Sequence, residues 1–283
     1  DLPELFFDVY VVDPLNKPVG GVAISRLLRS PRDTNLTDLM EPVNAIAVDQ
    51  DQEEVAYIFE KYHLISAPVT DAAGRLVGQI TVDDIVNIIQ EENREDILRL
   101  AGVADEDRGS GVLEIVRGRV PWLTVNLATA VLGASVIGWF EGTIQQIVAL
   151  AVLMPIVSAL GGNAGTQALT VTVRALATRE LNASNAVRTF WRELLVGCAN
   201  GLVLAPLIGV AAGLWAGDWR MGAVIGAAMV LNLLVAATVG VLTPLTLSKL
   251  KFDPAVSSAV FVTATTDFFG FLIFLGLATV VLL

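Results

Sequence analysis

One histidine, His63, and one cysteine, Cys198, are all that this 283-residue sequence holds of those two residue types. A lone cysteine excludes a disulfide framework or a thiolate metal site within one chain. A lone histidine excludes His-rich zinc sites and gives a hydrolase triad little support. No nucleophile–base pair or phosphate-cradling loop is visible either, so an enzyme is the least expected class. Charge is also scarce, at 17% of residues against 54% hydrophobic, with a mean hydropathy of +0.65. That balance belongs to a membrane protein with a soluble part. The few charges are unevenly placed: residues 1–120 hold 23 of the 29 acidic and 11 of the 18 basic side chains. Two parts therefore join near Pro121, the first strongly acidic and the second close to neutral. An acidic surplus argues against nucleic acid as a partner and makes cations or basic surfaces the natural ligands.

Five apolar stretches are long enough to cross a bilayer, near 121–140, 144–178, 194–217, 221–248 and 255–283. The second is interrupted by P-I-V-S-A-L-G-G-N-A-G-T-Q, residues 155–167. Pro155 removes a backbone donor, and Gly161, Gly162 and Gly165 around Asn163 weaken a helix, so irregular backbone is expected there. At membrane depth such backbone is tolerated only where it is buried in protein or lines a water-filled cavity. Glycines also serve close helix packing in membranes, and both readings stand at this point. Basic residues fall in alternate loops: Arg117 and Arg119, then Arg174, Arg179, Arg188 and Arg192, then Lys249 and Lys251. The opposite side carries Glu141 and Asp218 with only Arg220. This asymmetry predicts a multi-pass protein of the plasma (inner) membrane, with the N-terminal soluble part in the cytoplasm and the C-terminus outside.

Asp267 is the only ionisable residue of the 29 from Ala255 to Leu283. Intramembrane acids are costly and by default mark an ion path or proton relay; the bland alternative is a carboxyl group bonded to neighbouring hydroxyls. Thr263 lies at i−4, Ser257 and Ser258 stand further back, and Gly270 lies at i+3, so one helical face combines hydroxyls, a carboxylate and a residue without a side chain. Such a face suits a hydrated cation. Thr266, at i−1, is expected to support the helix end beside it. Asn200 and Asn232 read as interhelical hydrogen-bonding residues, and Glu193 with Arg192 as a solvated interfacial pair.

The acidic part repeats itself at an offset of 58 residues: V-Y-V-V-D-P-L-N-K-P-V-G (9–20) parallels A-P-V-T-D-A-A-G-R-L-V-G (67–78). Each copy reads as strand, turn, strand and helix, and only the second has a preceding helix, over 53–62. Some sequence is therefore expected to precede Asp1. After the second copy, Asp84, Asn87, Glu91 and Glu95 fall at i, i+3, i+7 and i+11. A solvated helix face explains such a run. Like charges in one stripe also repel each other unless cations screen them, and oxygen-only ligands favour magnesium or calcium.

These residues together resemble the MgtE family of magnesium channels and transporters across nearly the whole chain. The repeats look like a pair of CBS motifs, the first (1–32) lacking its start and the second (33–90) complete. An acidic connecting helix and linker follow over 82–118, then a membrane domain over 119–283. P-x5-G-G-N-x-G-x-Q (155–167), R-A-L-A-T-R-E-L (174–181), D-P-A-V-S-S (253–258) and T-A-T-T-D-F-F-G (263–270) are similar to the family's characteristic stretches. The implied fold is an α-helical membrane domain of five transmembrane helices with an α/β CBS-type cytoplasmic domain.

The implied function is a magnesium-selective channel, working as a homodimer in membrane lipid with the pore on the dimer axis between second and fifth spans. Asp267 matches the pore aspartate, and Thr263, Thr266, Gly161, Gly162, Asn163 and Gly165 fall on the pore-forming stretches. Asp51, Glu53, Asp84, Glu95 and Asp96 fall on positions where cytoplasmic magnesium binds and shuts the pore. Asn87 and His63 depart from that pattern, each standing where the family has an acid. The G-x-x-T-x-x-D pattern at Gly78, Thr81 and Asp84 fits an adenine-nucleotide site, whereas Ala23 and Arg26 replace its Thr and Asp in the first copy. A proton- or sodium-coupled divalent cation carrier, with Asp267 as the protonating group, is the alternative that the sequence leaves open.

Overall fold

The structure, a computed structural model, describes residues 6–103, 111–182, 184–254 and 258–283. The chain forms two compact units, 1–95 and 96–283. The acids Asp105, Glu106 and Asp107, Ser257, and the side chain of Ser258 lie outside the described residues.

The first unit carries β1 (Asp8–Val12), β2 (Pro18–Ala23), α1 (Ile24–Arg29), α2 (Leu36–Leu39), β3 (Ile46–Ala47), α3 (Gln52–Tyr62), β4 (Ser66–Thr70) and β5 (Leu76–Thr81). The start of α4 (Val82–Leu100) also belongs to it. The 58-residue offset holds element by element: β1 and β4, β2 and β5, and the starts of α1 and α4 all differ by 58. Turn chemistry is the reason. The Asp13 carboxylate accepts from the backbone N–H of Leu15 and Lys17, at 2.8 and 2.9 Å, and Asp71 repeats the pattern with Ala73 and Arg75, at 2.9 and 2.8 Å. Backbone and guanidinium bonds from Arg75 hold the Asp71 carboxyl below the usual carboxylate range.

β1 and β2 pair antiparallel, while β3 runs parallel to β4 and β4 antiparallel to β5. Ile46, Val55, Phe59, Ala67 and Ile85 form the core beneath the second copy. The two copies are tied through Tyr10, Ser66 and Asp8. Ser66 donates to Asp8 at 2.6 Å, so Tyr10 donates to Ser66 at 2.5 Å. Burial pushes the Tyr10 hydroxyl above its ordinary pKa, so this link persists across the neutral range.

The second unit contains α5 (Val112–Trp139), the short α6 (Glu141–Gln146), α7 (Ala149–Ala177), α8 (Ala186–Ala216), α9 (Trp219–Lys249) and α10 (Ser258–Leu282). All but α6 are long and apolar enough to cross a membrane, five among the described residues. The expectation of irregular backbone over 155–167 is corrected: α7 stays helical throughout. Pro155 falls near its start, and glycine in a span can recess the surface for a neighbouring helix without breaking hydrogen bonds.

α9 is the central element. Its most apolar window is 61% buried, against 11% for α5. Leu150, Met154 and Val157 of α7, Val224, Ile225 and Ala228 of α9, and Phe274 and Leu275 of α10 share one core. α8 and α9 meet through small residues. A Cβ at Gly209 would stand 2.9 Å from the Gly222 carbonyl oxygen, and one at Gly197 would stand 2.9 Å from that of Leu233. Backbone cannot yield as a side-chain tip can. Gly222→Val is therefore expected to destabilise the unit by about 1–3 kcal/mol through overpacking. A lowered midpoint in a thermal melt in detergent checks this, with Gly138→Ala as a control, since that Cβ meets nothing within 4 Å.

Candidate functional site

Asp267 stands on α10 with an α7 side chain against it. Ser158 Oγ donates to Asp267 Oδ1 at 2.5 Å. On the side of α5, a Cβ at Gly133 would lie 3.8 Å from the Asp267 Cβ, so that helix approaches α10 closely at this level. Asp267 and Ser158 are half-buried, whereas Asn163 of α7 and Thr263 of α10 are exposed. Gly162 lies beside Thr263, whose Cγ2 would be 3.9 Å from a Cβ there. One strip thus runs from Gly162 to Thr263, Asp267 and Ser158. Chemically it offers one carboxylate, with one oxygen already hydrogen-bonded, together with a hydroxyl. Magnesium, which keeps several waters and takes one or two carboxylates, is suited to such a sparse donor set.

Three residues expected at the pore do not lie on that strip. Thr266 is fully buried, and its hydroxyl donates to the carbonyls of Val262 and Thr263 on its own helix, at 3.0 and 2.9 Å. Gly165 is packed under Val262, and Gly161 under the amide of Asn232. Their lack of a side chain serves helix approach. Gly270, expected on the Asp267 face, is likewise buried against Asn232. Asn232 is the interhelical bonder that its residue type suggested: Nδ2 donates to the Val157 carbonyl at 3.0 Å. Arg192 and Glu193 form an ion pair at 3.3 Å, and Glu193 shares a cavity of about 210 Å³ with Gln167 and Asn200. Ser158 was not singled out by the sequence reading. Its signal was a hydroxyl in an otherwise apolar run, three residues before the first glycine of G-G-N.

The acidic side chains of the first unit are used locally. Asp51 caps α3, accepting from the N–H of Glu53 and Glu54 at 3.0 and 3.3 Å. Asp84 accepts from both the N–H and the hydroxyl of Thr81, at 3.1 and 3.0 Å, and so closes the first turn of α4. Among the described residues, no three Asp, Glu, His or Cys side chains come together as a metal site. A cleft of about 190 Å³ opens on the side of the first copy, at Ala23 and Arg26, with Asp8, Tyr10, Glu41 and Ser66 in its lining. Thr81 and Asp84, which bond to each other, are not part of that lining.

Comparison with known proteins adds independent findings. Residues 154–277 match the MgtE family model, described as a divalent cation transporter, and residues 36–91 match the CBS domain. The chain is 37% identical over 280 residues to "Magnesium transporter MgtE" of Enterococcus faecalis, covering 99% of this chain and 62% of that protein. It is 35% identical over 283 residues to the protein of the same name from Thermus thermophilus, covering 99% of this chain and 63% of that one. It therefore spans just over six-tenths of the length of these relatives. A solved structure of the soluble part of a magnesium transporter is 38% identical, covers 31% of this chain and 35% of its own, and has a TM-score of 0.30. The cytosolic domain of the Mg2+ channel MgtE in complex with ATP is 36% identical, with coverage of 30% and 35% and a TM-score of 0.29. The chain thus carries an MgtE-type domain over 154–277, preceded by a CBS domain over 36–91, and its similarity to magnesium transporters runs along nearly its whole length.

Proposed function

We propose that this chain forms the conducting and magnesium-sensing parts of a magnesium-selective channel that mediates uptake. The observation that carries this is Asp267, a single carboxylate in an apolar span, held on one oxygen by Ser158 and one turn from exposed Thr263. One carboxylate per chain is a thin donor set, and a homodimer in the plasma (inner) membrane would place two such groups about one hydrated ion. The exposed apolar surface of α5 and the exposed strip of α7 and α10 suit lipid and partner contacts of that kind. The soluble unit stands in the cytoplasm and the C-terminus outside, in keeping with the basic loops.

Gating follows from charge. Asp84, Glu91 and Glu95 share one stripe of α4, and Asp51, Glu53 and Asp96 complete the acidic set. Cytoplasmic magnesium would screen this repulsion and favour a closed pore, and its loss would open it. The caps at Asp51 and Asp84 each leave a second carboxylate oxygen for an ion. An adenine nucleotide fits the cleft at Ala23 and Arg26 in part. Its volume of about 190 Å³ is below the roughly 300 Å³ at which small-molecule pockets begin, so it suits the base and leaves phosphates outside. Pro42, Val43 and Pro68 offer apolar surface there, and Arg26, ion-paired with Glu41, is the cation of the lining.

Asp267→Asn is expected to lower magnesium uptake by about tenfold or more in a transport-deficient cell, the loss expected from removing one charged ligand. Wild-type uptake in that variant would sink the assignment. Magnesium-dependent single-channel currents, rather than uptake obligatorily tied to protons or sodium, are the expected mode. Asp84→Asn, Glu95→Gln and Asp96→Asn together keep the Thr81 cap but remove three charges. This triple variant is expected to keep conducting at high internal magnesium, and intact shut-off would show that other groups sense the ion.

A further inference from the structure

The Oδ1 of Asn232 is a buried side-chain acceptor without a hydrogen-bond partner among the described residues, and Asn232 itself is 0% exposed. Burying such a group carries a cost that an apolar residue of the same shape would avoid. Its position shows what it does. Nδ2 donates to the carbonyl of Val157, the residue before Ser158, at 3.0 Å. A Cβ on Gly161 would fall on this amide nitrogen, and one on Gly270 would stand 2.8 Å from it. Gly161 lies one turn after Ser158 on α7, and Gly270 one turn after Asp267 on α10. The two helices run antiparallel here, for Ser158 meets Asp267, Gly162 meets Thr263 and Gly165 meets Val262. Because Cβ bonds tilt toward the helix N-terminus, the two glycine notches face the level of the Ser158–Asp267 hydrogen bond from opposite directions. The amide of Asn232 fills the space between them.

We propose that Asn232 and Ser158 are positioning residues for the Asp267 ion site. Asn232 sets the height of α7 against α10, and Ser158, held at that height, occupies one carboxylate oxygen so that the other faces the water shell of the ion. The proposal rests on the reading of Asp267 as the pore carboxylate. Its consequence is discrimination. Magnesium demands near-ideal octahedral geometry, whereas calcium accepts irregular and more numerous oxygens. A carboxylate free to rotate serves both ions; one held by Ser158 favours the stricter ion.

The test is uptake by the full chain in proteoliposomes, with Mg2+ as the probe and Ca2+ as competitor. Ser158→Ala is expected to raise the Mg2+ concentration for half-maximal uptake by about tenfold, the scale of one hydrogen bond to a charged group. It should also weaken the preference for Mg2+ over Ca2+, and Ser158→Thr, which keeps the hydroxyl, should restore both. Asn232→Ala is expected to give the same shift, and the double variant no more than either alone, since one acts through the other. Unchanged half-saturation and preference in Ser158→Ala overturn the proposal, as do shifts that multiply in the double variant. If Asn232→Ala is not recovered as a monodisperse protein, the Ser158→Ala and Ser158→Thr pair decides alone. Asp267→Asn is measured alongside: wild-type uptake there removes the pore reading itself, an outcome separate from any result at Ser158 or Asn232.

Discussion

A carboxylate in a membrane span is costly to bury, so each of its oxygens needs a polar partner or water. In this protein the hydroxyl of Ser158 meets that requirement for one oxygen of Asp267. For Ser158 to be in reach, α7 and α10 must run close together at a fixed height. That closeness requires glycine at 161, 165 and 270 and a central helix, α9, buried enough to serve as the common wall. The composition of the membrane unit, rich in small residues and poor in charge, follows from this chain of needs.

The soluble unit answers a different constraint. Its surface carries most of the acidic side chains, and it is built from two short copies that share turn chemistry at Asp13 and Asp71. A turn locked by an aspartate on backbone N–H groups is set by its own neighbours, so the same turn recurs in both copies. The copies are bound to each other by hydroxyls and a carboxylate at Tyr10, Ser66 and Asp8, and these polar groups face the cleft.

How much could be read from the sequence depended on whether the governing interaction was local. The repeat was legible to the residue, since strand ends and turns are set by neighbours within five positions. The five spans were legible because length and apolarity decide them. Asp267 stood out as a lone charge in an apolar run. What failed was helix phase. In a span apolar all round, periodicity cannot say which side faces the protein, so it gave no sign that Thr266, Gly161 and Gly165 turn inward. The glycines of 155–167 suggested broken backbone by the rules of helices in water; in lipid, the cost of an unsatisfied carbonyl keeps α7 helical. Ser158 was missed because its importance depends on a partner 109 residues away.

The glycine contacts between α8 and α9 carry a mechanical meaning. Where carbonyl oxygens meet bare Cα positions, as at Gly209 and Gly222, no rotamer can give way. A slide of either helix by a fraction of a turn would drive backbone into backbone, so this pair behaves as a stiff frame. Any rearrangement of α7 and α10 around Asp267 would then be carried by helices outside that frame, with the α8–α9 pair as the stator against which they turn.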